Sequence, residues 1–190
     1  MGKYVEEDCS DKLTSFQHFF YNYGRFHGNS VNILIHITCI PILLITGYKL
    51  LEMISYDHLK IPYNLGIILW TWALVWLSKD AFSGIFTTIQ YATVLFFLHG
   101  RDLSCSGYSS MQIVAAFHIG AWIIQFIGHG LFEQRAPALV TNVLLTINAP
   151  LFANLEIFYY VFGYRAKDLE CAFTYIKKDI KAFQESKKQD

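Results

Sequence analysis

Residues 63–98 read YNLGIILWTWALVWL, then SKD, then AFSGIFTTIQYATVLFFL: two apolar stretches with only Ser78, Lys79 and Asp80 between them. Too few residues separate them for a loop of any size, so the segment predicts a tight helical hairpin. Working outward, further apolar runs cover residues 31–48, 111–127 and 138–164. A helix that crosses a bilayer needs about 20 apolar residues, with about 17 as the lower limit. The runs at 31–48, 81–98 and 111–127 reach that limit, and the run at 63–77 falls short. The run at 138–164 contains Asn142, Asn148, Pro150, Asn154 and Glu156, and is expected to be broken and partly interfacial. Trp70, Trp72 and Trp76, with Tyr159, Tyr160 and Tyr164, cluster near run ends, where amphipathic rings favour the membrane interface.

The composition agrees. Of 190 residues, 54% are hydrophobic and 16% charged, against about 25% charged in an average soluble chain. Fifteen basic residues balance fifteen acidic ones, so the chain has no basic field for nucleic acid, and none is expected as a partner. Between residues 31 and 99 the charged side chains are Lys49, Glu52, Asp57, Lys60, Lys79 and Asp80, all read as lying between the apolar runs. Cys9, Cys39, Cys105 and Cys171 are far apart and lack zinc-type spacing, which excludes a disulfide-stapled secreted domain. The first eleven residues lack the pattern of a cleaved signal peptide.

The expectation is an all-α, multi-pass helical membrane protein forming one domain over 1–190. A soluble bundle of buried helices is the alternative, favoured only by the shortness of the runs. Residues 165–190 are polar, and Leu169, Ala172, Phe173, Ile176, Ile180 and Phe183 recur at helical spacing, which predicts a C-terminal amphipathic surface helix.

Ionisable residues inside apolar helices are costly and therefore candidates for function. Two polar clusters qualify. The first runs from His27 through Gly28, Asn29, Ser30 and Asn32 to His36, with Pro41 beyond. The second holds Gln125, Gly128, His129, Gly130, Glu133, Arg135 and Pro137. On a continuous helix His27 and His36 would stand about 13.5 Å apart along the axis, too far to share an ion. Gly28, Asn29 and Ser30 read as a turn and helix cap, which lets His27 fold back. His118 and His129 are eleven residues apart, about 16.5 Å along one helix, so one ion cannot take both. His18 and His58 lie in polar flanks and read as solvated, and His99 and His118 are open between ligand and structural roles. The residues alone admit two readings: a shared metal site, or polar side chains that only tie helices together.

The spacing F-Y-x-Y-x3-H-x4-N-x3-H-x4-P from Phe20 to Pro41 resembles the start of the yeast-type 2-hydroxy-fatty-acid dioxygenases of the endoplasmic reticulum. The block W-I-x-Q-F-I-G-H-G-x-F-E-x-R-x-P-A-L from Trp122 to Leu139 resembles their second signature. The resemblance implies an Fe(II)-dependent enzyme that uses O2 to cleave the C1–C2 bond of a long-chain 2-hydroxy fatty acid. The product is one carbon shorter, as in phytosphingosine breakdown. It implies His27, His36 and His129 as ligands of Fe2+, with Glu133, Asn32 and Arg135 as catalytic candidates. Glu133 would be a fourth ligand or a hydrogen-bond acceptor behind the ligands, and Arg135 would recognise the substrate carboxylate. Membrane lipid is the expected surrounding. Two further classes stand beside this one: a haem held by two histidines such as His36 and His129, and a non-catalytic scaffold or lipid carrier. The chain ends Lys187-Lys188-Gln189-Asp190, similar to a di-lysine retrieval signal, which predicts an endoplasmic-reticulum membrane location with the C-terminus in the cytosol.

Overall fold

A computed structural model describes residues 12–54, 64–137 and 144–188. The readings of His58 and of the first eleven residues, and that of Asn142, lie outside these ranges. The described chain is helical: α1 (Ser15–Gly24), α2 (Ser30–Ile54), α3 (Asn64–Lys79), α4 (Ala81–Leu98), α5 (Ser110–Ile127), a π-helical turn (Gly128–Glu133), α6 (Leu144–Phe162) and α7 (Ala166–Ser186).

Local chemistry sets where these helices begin. Thr14 and Gln17 form a reciprocal capping box at α1, and Ser109 and Gln112 form another at α5. The α3–α4 hairpin turns where the sequence places it, because Asp80 accepts from the Ser83 backbone N–H at 3.0 Å and caps α4. Tyr164 and Arg165, at the start of the C-terminal segment, also donate to Asp80, at 3.0 and 2.7 Å.

α2 is the central element. It packs along α5 and touches α3, α4 and α6, while α1 pairs with α7. The core gathers Phe20, Trp76, Leu95, Leu151, Phe152, Leu155 and Leu169. Helices α2, α4 and the α5–π-turn segment are long and apolar enough to cross a membrane. Their outward faces carry large bare apolar side chains, among them Phe82, Ile89, Phe96, Phe117 and Ile123. A water-soluble bundle would bury such a surface, so this is a helical membrane protein.

Three expectations need correction. Lys49 and Glu52 do not lie beyond the first run but inside α2, where Lys49 is buried. Its ammonium donates to Glu52 (2.5 Å) and to the carbonyl of Leu98 (3.0 Å), and Glu52 also meets His99, so the helix continues because its charges are paired. Over its described residues the last apolar run is one helix, α6, with Pro150 inside it. The indole N–H of Trp76 donates to the Ile147 carbonyl at 2.8 Å, and Asn154 donates to Thr87 and Gln90 of α4, so the polar groups are used within the bundle. Trp76 is accordingly core rather than interface, at 1% exposure.

The amphipathic C-terminal helix exists as α7, and its apolar face is covered by α1. Cys39 and Cys105 are free thiols, whereas Cys171 on α7 is disulfide-bonded.

The ends of the bundle are tied by carboxylates held in charged form. Burial pushes Asp80 and Asp179 up, but the cap at Ser83 with Arg165, and Arg135 with Tyr21, outweigh it, so both lie below the ordinary carboxylate value. A depressed folded-state pKa contributes stability above the ordinary value, about 4, that is lost as pH falls through the folded value. Thermal unfolding in detergent should therefore shift to lower temperature below about pH 4, and Asp80→Asn should flatten that dependence. A midpoint insensitive to acid would contradict this.

Candidate metal centre

His27 sits in the turn between α1 and α2, His36 in the second turn of α2, and His129 on the π-helical turn after α5. Distant in sequence, they meet in space. Ring centroids of His27 and His36 are 4.4 Å apart, His27 and His129 5.1 Å, and His36 and His129 4.8 Å. One nitrogen from each lies within 4.8 Å of the others, and all three side chains are buried.

The turn works as its residues suggest. Asn29 accepts the Val31 N–H with its side chain (2.9 Å) and the Ile33 N–H with its carbonyl (3.0 Å), which starts α2 afresh after the break. His27 is then free to fold over the first turns of α2.

The backbone settles two tautomers. Nδ1 of His27 is 3.0 Å from the Tyr23 carbonyl, and Nδ1 of His36 is 2.9 Å from the Asn32 carbonyl. A carbonyl only accepts, so each Nδ1 carries the proton and each Nε2 keeps its lone pair. The His27 Nε2 is buried with no partner, and so is the His129 Nδ1. Burial, then the neighbouring His36, holds His27 well below the ordinary histidine value, so its ring is neutral. Orphaned, neutral imidazole nitrogens that face one another are what a metal ion requires. With each about 2 Å from one ion, they would stand about 3–4 Å apart, a small closure from the arrangement seen.

The other candidates form a frame around the histidines. One Glu133 oxygen accepts from the Asn29 backbone N–H at 2.8 Å and from the Asn32 amide at 3.1 Å. The carboxylate thus anchors the π-turn to the N-terminus of α2, where the helix dipole favours an anion. Asn32 is fully buried, and its carbonyl and amide serve His36 and Glu133 in turn. Gly128 is needed for this contact, because a Cβ there would collide with the Asn32 Oδ1. Arg135 faces Asp179 rather than Glu133, at 2.7 Å, donates to the Arg25 carbonyl at 2.8 Å, and stacks between Phe26 and Phe183. It holds α7 against the site.

His118 and His99 are otherwise engaged. His118 Nδ1 meets the Thr46 hydroxyl at 2.9 Å, and its Nε2 accepts from Trp122 at 3.2 Å. His99 is paired with Glu52, and exposed His18 with Asn22.

Three residues that sequence reasoning left without a role join the site or its surroundings. Tyr23 stacks on His27 at 4.0 Å and 17°, with its hydroxyl buried and unpaired. Its signal was the spacing of four before His27. Gln125 lines the cavity at the histidines with a buried, unpaired Nε2. Glu156, read only as a helix breaker, is 2% exposed with one unpaired oxygen, and an ionisable residue in an apolar run was signal enough.

A cavity of about 50 Å³ opens at the triad, lined also by Tyr23, Trp122, Phe126 and Pro137. The arrangement can hold one metal ion in a largely apolar pocket, with coordination positions left for small ligands.

Comparison with known proteins bears directly on this site. The sequence model of the family described as "2-hydroxy-palmitic acid dioxygenase Mpo1-like" matches residues 13–160. The 2-hydroxy-palmitic acid dioxygenase MPO1 of Saccharomyces cerevisiae is 29% identical over 140 residues, covering 72% of this chain and 76% of the yeast protein. No solved structure matches.

Proposed function

We propose that this chain, which belongs to the 2-hydroxy-palmitic acid dioxygenase Mpo1-like family, is a ferrous-iron dioxygenase that shortens long-chain 2-hydroxy fatty acids by one carbon. The observation that carries the reading is the convergence of His27, His36 and His129, three buried histidines from two sequence-distant blocks.

Ferrous iron, when bound, supplies positions for a 2-hydroxy acid and O2 on one centre and the reducing power that activates O2. The rest is the work of the chain's own residues. Tyr23 and Asn32 carbonyls fix the His27 and His36 rings so that each Nε2 points inward. Glu133 and Asn32 lock the π-turn to α2, which sets where His129 stands. Phe126, Trp122 and Ile40 restrict water at the pocket. The substrate itself provides the electrons for C1–C2 cleavage, so no nicotinamide or flavin is called for. Breakdown of phytosphingosine-derived acids at the endoplasmic-reticulum membrane, with both chain ends cytosolic, fits the same reading. Protease protection of the C-terminus tests that topology.

The deciding experiment is anaerobic reconstitution of the full chain with ferrous iron, followed by O2 and 2-hydroxypalmitate. Pentadecanoic acid should form without 2-oxoglutarate, with about one iron bound per chain. No product from iron-loaded protein, or strict dependence on 2-oxoglutarate, would overturn the reading. A Soret band would replace it with the haem alternative.

A further inference from the structure

The triad cavity does not end at the histidines. A second cavity of about 180 Å³ adjoins it, and the two share Ile40, Trp122, Gln125, Thr146 and Ala149 as wall. Beyond that shared wall the second cavity is bounded by Leu43, Leu44, Trp72, His118 and Pro150. On α2 the lining advances from His36 through Ile40 to Leu44, about 12 Å along the axis. On α5 it recedes from Gln125 to His118, about 10 Å further from the triad. The two helices pack against each other, so the space between them and α6 runs in one direction, away from the histidines.

Its chemistry changes along that direction. Thr146 and Gln125 are the polar residues at the junction, and Gln125, 7% exposed, has an Nε2 donor with no partner. A buried amide donor without an acceptor is costly, and an oxygen of a bound ligand would satisfy it. Past Gln125 the wall is aliphatic and aromatic. The imidazole of His118 fits such a wall because both its nitrogens are already bonded, to Thr46 and Trp122.

We propose that this second cavity is the acyl channel. The head of a 2-hydroxy acid lies at the triad with an oxygen on the Gln125 amide, and its hydrocarbon tail runs between α2, α5 and α6 in the direction of Trp72 and His118. The inference rests on the dioxygenase reading for the identity of the head, and on the cavity alone for the path of the tail. His118, bonded at both nitrogens, then serves as part of the channel wall.

The test uses the full chain in lipid nanodiscs, metal-free and without O2, so that no turnover is needed. A 2-hydroxypalmitate analogue with a diazirine at the methyl end should label peptides containing Leu43–Leu44, Trp72 or Pro150. An analogue with the diazirine next to the head should label the Gln125 or Ala149 peptides. Label from the methyl-end probe on the outward faces of α4 or α5, matching that from a diazirine phospholipid, would place the tail in the bilayer and overturn the channel. In iron-loaded protein, Leu43→Trp should lower kcat/KM for 2-hydroxypalmitate relative to 2-hydroxyoctanoate by about tenfold. An unchanged ratio would also overturn it. If the variant does not fold, the labelling of the natural chain decides. Correct labelling with no turnover of any 2-hydroxy acid would leave the channel standing and remove the dioxygenase reading.

Discussion

Alanine at His27, His36 or His129 is expected to abolish conversion of a 2-hydroxy fatty acid and to leave the purified protein with little or no iron. The three imidazoles are the ligand-bearing side chains that converge among the described residues. Two of them hold nitrogens that are buried and unpaired. Removing one leaves an incomplete ligand set, whereas loss of a residue that merely supports the ligands commonly costs ten- to a hundred-fold. The comparison that gives the experiment its force is His118→Ala. That ring is bonded at both nitrogens to Thr46 and Trp122, so the variant should lose some stability, about 1–3 kcal/mol, and keep its iron. His18→Ala, at an exposed position on α1, should change neither stability nor iron content. Iron retained at full stoichiometry in a triad variant, measured by mass spectrometry on folded protein, would remove that residue from the ligand set.

Gly128→Ala should damage the centre almost as severely without touching a ligand. The added methyl would collide with the Asn32 Oδ1. Asn32 cannot swing aside freely, because it is fully buried and its amide is spent on Glu133. Overpacking of this kind costs about 1–3 kcal/mol, and here the strain falls between the two elements that carry His36 and His129. A lower melting temperature, reduced iron occupancy and a loss of turnover of about tenfold or more are expected together. Combining Gly128→Ala with Asn32→Ala removes the colliding oxygen, so the second change should cost less iron occupancy in the Gly128→Ala background than alone. Strict additivity of the two changes, or a melting temperature unchanged by Gly128→Ala, would show that the close approach is not what the site depends on.

Much of this site could be read before any coordinates. His27 needed a chain break to reach His36, and Gly28, Asn29 and Ser30 supplied one; the spacing arithmetic spoke against His118 and His129 sharing an ion, but the bonds of His118 to Thr46 and Trp122 were not legible. The hairpin at Ser78–Asp80 was equally plain, because three polar residues between apolar runs leave the chain no other course. What stayed hidden is what composition does not encode. A π-turn shifts backbone hydrogen bonds by one residue and leaves the residue types unchanged, so nothing announced that Gly128–Glu133 would present His129 in that way. The partner of Arg135 was hidden too, since Asp179 lies in another helix, far along the sequence, and the resemblance implied a substrate carboxylate instead. The continuity of α6 was misread because Asn154 and Pro150 look disruptive until Thr87, Gln90 and Trp76 are seen beside them.

The covering of α1 by α7 has a bearing on when the centre can come into being. The side chain of Ile180 lies so near Gly28 that a methyl there would have no room, and Arg135 reaches Asp179 on the same helix. The loop that carries His27 is made well before the helix that presses against it. Until α7 is in place, the turn that carries His27 lacks the part of its wall that Ile180 supplies. Any metal that the three histidines hold would therefore be held against a wall that only α7 completes.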